Sequence, residues 1–219
     1  MAVDKLHIPK FNHLPSYIRE KASPKSCPIF SRENESLHQN FRVLSSIAKS
    51  KFHIYKVETE LDKRQLALKV FPFEGKNPNK YYRNEKKAMK FDHPNIIKVF
   101  GYEDKKKIAG KELQAQFGSY VLMELAPFGD LQELISSTNI LQQNEKLLRT
   151  YFHQIISALE YLHKEKGTAH LDVKCENFLI GQGFNLKLCD FDFCYSSDEG
   201  KPLGKGTPIF RAPELEELQ

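Results

Sequence analysis

Cysteine is scarce in this chain: four residues in 219, at positions 27, 175, 189 and 194. No two form a CxxC pair, and their spacing suits neither a zinc site nor a disulfide framework. A reduced intracellular setting, most simply the cytoplasm, is expected. Long apolar runs are also missing, so no segment reaches the length of a membrane span. The opening residues, MAVDKLHIPK, lack a signal-peptide core and do not start Met-Gly, so neither secretion nor myristoylation is expected. Charge of one sign is nowhere concentrated. The 33 Lys and Arg are mixed with 28 Asp and Glu, for a net charge of +5. A nucleic-acid partner needs a clustered basic face, and none is expected here. The densest positive run, EDKKKIAGK at 103–111, reads as a solvated loop tip.

What is present is ordinary for a globular protein: 40% hydrophobic and 28% charged residues, with length for one large domain or two small lobes. Residues 1–40 carry Pro9, Pro15, Pro24 and Pro28 among polar residues without a helical or strand period. They read as an extension, disordered or draped on the domain. Over 41–125 the segments FRVL, FHIYKVE, QLALKVF, IIKVFGY and SYVLMEL read as strands. NPNKYYRNEKKAMKF reads as one helix, with Asn77 as its cap and Pro78 at its first position. This is a small, sheet-rich lobe. After PFGD (127–130) helices dominate. Leu147, Leu148, Tyr151, Phe152, Ile155, Ile156, Leu159 and Leu162 recur at three and four residues, an amphipathic helix closed by Lys164, Lys166 and Gly167.

The chemistry concentrates in HLDVKCENFL (170–179) and CDFDF (189–193). Leu179–Ile180 and Leu186–Cys189 read as two short strands joined by the turn GQGFN. Asn177 precedes the first strand and Asp190 follows the second, so the hairpin brings both to the same end. An amide oxygen and a carboxylate side by side are hard ligands suited to Mg²⁺. Asp172 lies one short turn away, where it can accept a proton or orient a hydroxyl. Lys174 can neutralise charge on a moving phosphoryl group.

Taken together, HLDVKCENFL, DFD and APE (212–214) resemble the catalytic loop, metal-binding motif and activation-segment end of eukaryotic protein kinases. The resemblance covers about Phe41 to the last residue. It implies an α+β, two-lobed fold: a β-rich small lobe at 41–125, then a hinge and an incomplete, mainly helical large lobe at 126–219. It also implies transfer of the ATP γ-phosphoryl group to a protein hydroxyl, with Mg²⁺. LALKVF resembles the strand of the ATP lysine, which makes that residue Lys69, with Glu85 as its ion-pair partner. VLMELAPFGDL resembles the hinge. There Met123 is the gatekeeper, Glu124 and Ala126 offer backbone groups to adenine, and Asp130 holds the ribose. Ala67 and Leu179 sandwich the adenine. Asp172 is the base, Lys174 a phosphate contact, and Asn177 and Asp190 the metal ligands. Lys174 and Thr207, the latter in GTPIFRAPE, match the serine/threonine branch.

The sequence departs from the family in four places. Ala48, Ser50 and His53 stand where three glycines of the phosphate loop are expected, which loosens the phosphate cradle. Asp192 replaces a glycine; aspartate tolerates left-handed backbone, and its carboxylate either adds a metal ligand or repels phosphate. Leu171 replaces the arginine that docks a phosphorylated activation segment, so that switch is not expected. The sequence ends at Gln219, just after APE, where the family continues with several helices. It is then either a fragment or a minimal protein that needs a partner over the incomplete lobe, with part of the 147–162 helix exposed. The alternative to an active kinase is an inactive kinase-like module that binds nucleotide or a partner.

Overall fold

Strand β3 (Gln65–Pro72) carries six consecutive buried residues between two exposed ends. Such a run suits a central strand covered on both faces, and β3 is the middle strand of a five-stranded antiparallel sheet, ordered β1-β2-β3-β5-β4. The others are β1 (Phe41–Lys49), β2 (His53–Thr59), β4 (Val99–Gly110) and β5 (Leu113–Glu124). The computed structural model describes residues 41–49, 51–73, 79–110, 113–200 and 202–216. All lie in one unit, Asn34–Gln219. The expected extension at 1–40, Ser50, Asn77 and Pro78 fall outside the described residues.

Side chains alternate across β3. Leu66, Leu68 and Val70 join Tyr55, Val57, Tyr120 and Leu122 in one apolar cluster, flanked by Phe41, Val43 and Phe100. The intervening residues Ala67, Lys69 and Phe71 point to the opposite face. Helix α1 (Lys80–Lys87) sends Tyr82 and Glu85 inward. It starts at Lys80, later than the sequence suggests, and is capped by Asn79, whose side chain accepts from Tyr81 N at 2.9 Å.

The basic run at 103–110 is not a loop tip; it belongs to β4. Once β4 and β5 pair near the core, the ladder continues outward, with Lys106 opposite Gly118 and Lys107 opposite Phe117.

Beyond β5, the short helices α2 (Leu131–Ser137) and α3 (Ile140–Gln143) lead to α4 (Glu145–Glu160), which continues through a wider turn, Tyr161–Glu165. Gly167, at φ +55°, ends it. Tyr151, Ala158, Tyr161 and Leu162 are buried, whereas Leu148, Phe152 and Ile156 are 48%, 63% and 47% exposed. Spaced by four residues, these three form an apolar stripe on the outer side of the helix. Two two-stranded pieces complete the strands among the described residues: β6 (Thr168–Ala169) with β9 (Tyr195–Ser196), and the hairpin of β7 (Phe178–Ile180) and β8 (Leu186–Leu188).

That hairpin is stitched to the sheet-rich half. Ile97 N donates to Leu188 O at 2.9 Å, Leu188 N to Asn95 O at 2.8 Å, and Ile180 N to Gly129 O at 2.9 Å. Backbone bonds of this kind fix the loops that flank the hairpin.

Candidate active site

The hairpin register pairs Phe178 with Leu188, and Cys189 N donates to Asn177 O at 2.9 Å. Asn177 and the residue before Asp190 are therefore direct neighbours. Asn177 is buried, and its Nδ2 donates to Asp172 O at 2.7 Å and to Asp172 Oδ2 at 3.1 Å. With both donations on the amide nitrogen side, Oδ1 is the atom left to accept. Asp190 sits at φ +63°, ψ +69°. The left-handed residue of CDFDF is thus Asp190, while Asp192 lies inside a 3₁₀ turn, Phe191–Phe193. The left-handed backbone considered at Asp192 falls two residues earlier, where the chain turns after β8.

Around Asp172 every charge has a partner. Its Oδ1 accepts from Thr207 N at 2.8 Å, and its Oδ2 lies 3.2 Å from Lys174 Nζ. Lys174 Nζ also donates to Thr207 Oγ1 at 2.8 Å. Burial alone would raise the Asp172 carboxyl, but the Thr207 donors and the Lys174 ammonium hold it below the usual carboxylate range. The backbone makes this close approach possible. Leu171 is left-handed at φ +63°, and a Cβ on Gly206, itself at φ +88°, would meet Leu171 O at 2.2 Å.

His170 organises the loop from below. Asp172 N donates to its Nδ1 at 3.3 Å, so Nε2 carries the proton and donates to Cys189 O at 2.9 Å. Its ring meets Phe191 edge-on at 5.0 Å, and Phe191 packs on Phe91 at 5.2 Å. Burial lowers the His170 pKa and keeps the ring neutral.

Lys69 gathers a different cluster. Its Nζ donates to Glu85 Oε2 at 2.9 Å, Asp190 Oδ1 at 2.6 Å and Asp192 Oδ1 at 2.8 Å. Lys69, Glu85 and Asp192 are buried, whereas the Asp190 side chain is 36% exposed. Candidate ligand oxygens of the three acids lie within 4.8 Å of one another. Burial, opposed by Lys69 and reinforced by the two aspartates, pushes Glu85 up to about 8. Lys69 is itself raised: burial favours its neutral form, but the three carboxylates outweigh that. Asp190 is depressed, because Lys69 outweighs its burial. Asp192 is raised by burial despite Lys69. One buried oxygen, Glu85 Oε1, has no hydrogen-bond partner. An accessible carboxylate, an amide oxygen and an acid-rich surround form a donor set that fits a hard divalent cation.

Sequence reasoning missed three contributors to this cluster. Asn84 Nδ2 donates to Asp192 O at 2.7 Å, and Phe191 N donates to Glu85 Oε2 at 3.1 Å, tying α1 to the turn after β8. Phe52, buried between β1 and β2, packs on Phe71 at 4.6 Å with its ring 5.6 Å from Lys69 Nζ. The separation of more than 100 residues between Asn84 and Asp192 leaves no local signal.

The remaining predicted residues lie on β3, on β7 and at the end of β5 with the segment after it. Ala67 and Met123 are buried opposite each other on β3 and β5. Leu179 bridges Asp130. Asp130 caps α2, its Oδ1 accepting from Glu133 N at 2.8 Å. Glu124 already commits its N–H to Lys98 O at 2.8 Å. Its side chain turns to Lys187, at 3.0 Å. Ala126 lies in the open turn between β5 and α2, half-buried. Ala48 and His53 pair within β1 and β2, with Ala48 opposite Ile54 and His53 opposite Lys49.

The model of the protein kinase domain matches residues 50–217. Serine/threonine-protein kinase SIK1 of Mus musculus is 31% identical over 181 residues, covering 80% of this chain and 22% of that protein. The same kinase of Rattus norvegicus gives the same figures. Testis-specific serine/threonine-protein kinase 1 of Homo sapiens is 42% identical over 103 residues, 44% of this chain and 27% of that protein. The chain therefore spans about a quarter of the length of the relatives it matches. With a lysine–glutamate pair joined to one loop aspartate and a second aspartate held beside an asparagine and a lysine, all inside the matched segment, the chain belongs to the protein kinase family, among relatives of the serine/threonine type.

Proposed function

We propose that this chain binds ATP and transfers its γ-phosphoryl group to a serine or threonine hydroxyl of a protein. The observation that carries the reading is the Lys69–Glu85 pair at 2.9 Å, which reaches Asp190 at 2.6 Å. That arrangement holds β3, α1 and the loop after β8 in one register. Asp172, depressed and ionised at neutral pH, accepts the proton of the incoming hydroxyl. Lys174 donates to the phosphoryl oxygens, and Thr207, tied to both Asp172 and Lys174, positions the hydroxyl-bearing segment. Asn177 Oδ1 and the open Asp190 carboxylate would hold Mg²⁺, which supplies charge neutralisation for the phosphates. Glu124 and Ala126 offer backbone groups to adenine; Ala67 and Leu179 face its ring, and Asp130 the ribose. Thr207 and Lys174 support serine/threonine over tyrosine. Three free cysteines among the described residues support an intracellular setting. No described helix is long and apolar enough to cross a membrane.

Incubation with labelled ATP, Mg²⁺ and a mixed serine/threonine and tyrosine peptide pool tests the reading. Label on serine or threonine that Asp172→Asn abolishes is expected. Label on tyrosine alone, or label retained in Asp172→Asn, overturns it.

A second reading, nucleotide binding without transfer, is favoured by Ala48 and His53 at phosphate-loop positions and by the acid-saturated Lys69. Saturable ATP binding with no label on any peptide would select it.

A further inference from the structure

An ammonium group has three N–H donors. In Lys69 each is directed to a different carboxylate: Glu85, Asp190 and Asp192. No donor remains for a phosphate. The site also carries one cation against three acids, and Glu85 Oε1 is buried without a partner. The Phe52 ring lies 5.6 Å from the same ammonium, which is buried.

We infer that Asp192 competes with the nucleotide phosphates for Lys69, and that a divalent cation lifts this competition, so that ATP capture depends on the metal more steeply because of Asp192. This rests on the ATP-binding reading above. The physical argument is one of displacement. A polyphosphate that arrives without a metal must take Lys69 from a buried carboxylate and leave that carboxylate unpaired, which is costly. It also brings negative charge next to two aspartates and Glu85. A cation shared by Asp190 and Asp192 neutralises both groups and frees two ammonium donors at once. Asp192 can serve this way because its backbone stays anchored: Asn84 Nδ2 holds its carbonyl at 2.7 Å, independently of the side chain. The turn is therefore expected to survive side-chain replacement.

Binding to the full chain decides the point. ATP and adenosine are titrated by calorimetry, with excess Mg²⁺ or with EDTA, into wild type, Asp192→Asn and Asp192→Gly. Unliganded melting curves verify folding, and the isosteric Asn variant covers the case in which Gly loosens the turn. Without metal, ATP is expected to bind both variants about tenfold or more tighter than wild type. Adenosine, which has no phosphate, should bind all three alike. The ratio of metal-free to metal-bound Kd should be largest in wild type. Metal-free ATP binding equal in wild type and both variants, with Mg-ATP still bound, overturns the role of Asp192 while sparing the ATP reading. No binding of ATP or adenosine to any protein overturns both.

Discussion

Asp172 and Asp190 stand on neighbouring loops, yet their surroundings balance charge in opposite ways. Asp172 meets a lysine, an amide and a backbone N–H, so its carboxylate is matched donor for oxygen. Asp190 shares its single lysine with two more acids, and one of those keeps an oxygen unpaired. A balanced cluster is complete without a ligand, whereas an acid-rich one is completed by an added cation. The first suits a group that must stay fixed and ionised during proton acceptance; the second suits a binding site whose occupancy changes.

The largest effect is expected on the balanced side. Asp172→Asn keeps the shape but removes the proton acceptor, and phosphoryl transfer should fall about 10²–10⁴-fold. Initial rates at saturating Mg-ATP measure this; a loss under about fivefold would mean that Asp172 does not act as the base.

Next comes the removal of either lysine. Lys69→Met strands two buried acids, Glu85 and Asp192, together with the half-buried Asp190, and should cost about 3–5 kcal/mol in urea unfolding without metal. Lys174→Met leaves Asp172 with its other donors, and the lysine is half-buried, so about 1 kcal/mol is expected. Equal losses would erase the distinction between the clusters.

The pH dependence should separate them further. Glu85 has a folded pKa near 8 against 4.5 for the free group, so it contributes stability below about 4.5 that is lost as pH rises towards 8. Lys69, Asp190 and Asp192 are the charged groups facing it. Asp172 and Asp190 are depressed, so their contribution is present above the usual carboxylate range and lost at lower pH. In EDTA the melting temperature should therefore decline from about pH 5 to 8 and then flatten. Glu85→Gln should shrink the decline, leaving the share that the raised Asp192 contributes, and keep the acid limb. A profile unchanged by Glu85→Gln would place the excess proton elsewhere.

Two smaller effects complete the series. Thr207→Ala deletes one acceptor of Lys174 and the hydroxyl's share in holding Asp172 ionised but keeps the backbone bond to Asp172, and should cost about 0.5–1.5 kcal/mol. Phe152→Ser, on the exposed stripe of α4 and outside both clusters, should change stability by less than about 0.5 kcal/mol while reducing self-association in light scattering. A large destabilisation by Phe152→Ser would show that the stripe is covered.

Much of the balanced cluster was legible in the sequence. Asp172, Lys174 and Asn177 lie within one short loop, and the β7–β8 hairpin that aligns Asn177 with Cys189 follows from two apolar runs and a glycine turn. The strands around Lys69 were legible too, because a strand buried on both faces leaves a near-continuous apolar run. Less was visible at β4, where polar residues that look like a loop extend a ladder already started by the core. At α1 the cap proved to be Asn79, which shares the local preferences of Asn77.

By itself, then, the sequence determined which residues are candidates for the chemistry and most of the elements that hold them, since short spacing and hydrophobic period act along the chain. It also set the charge inventory. Only the tertiary structure decided how that inventory is shared. Asp192 stood in the sequence as an added ligand or a repelling charge; packing α1 against the turn after β8 made it a third acceptor on Lys69, 123 residues away. The same packing left Glu85 Oε1 unpaired, while the pairing of β2 with β3 brought Phe52 near the ammonium. Such outcomes depend on distances of a few ångströms between remote segments, and in a buried site those distances set the strength of every charge interaction.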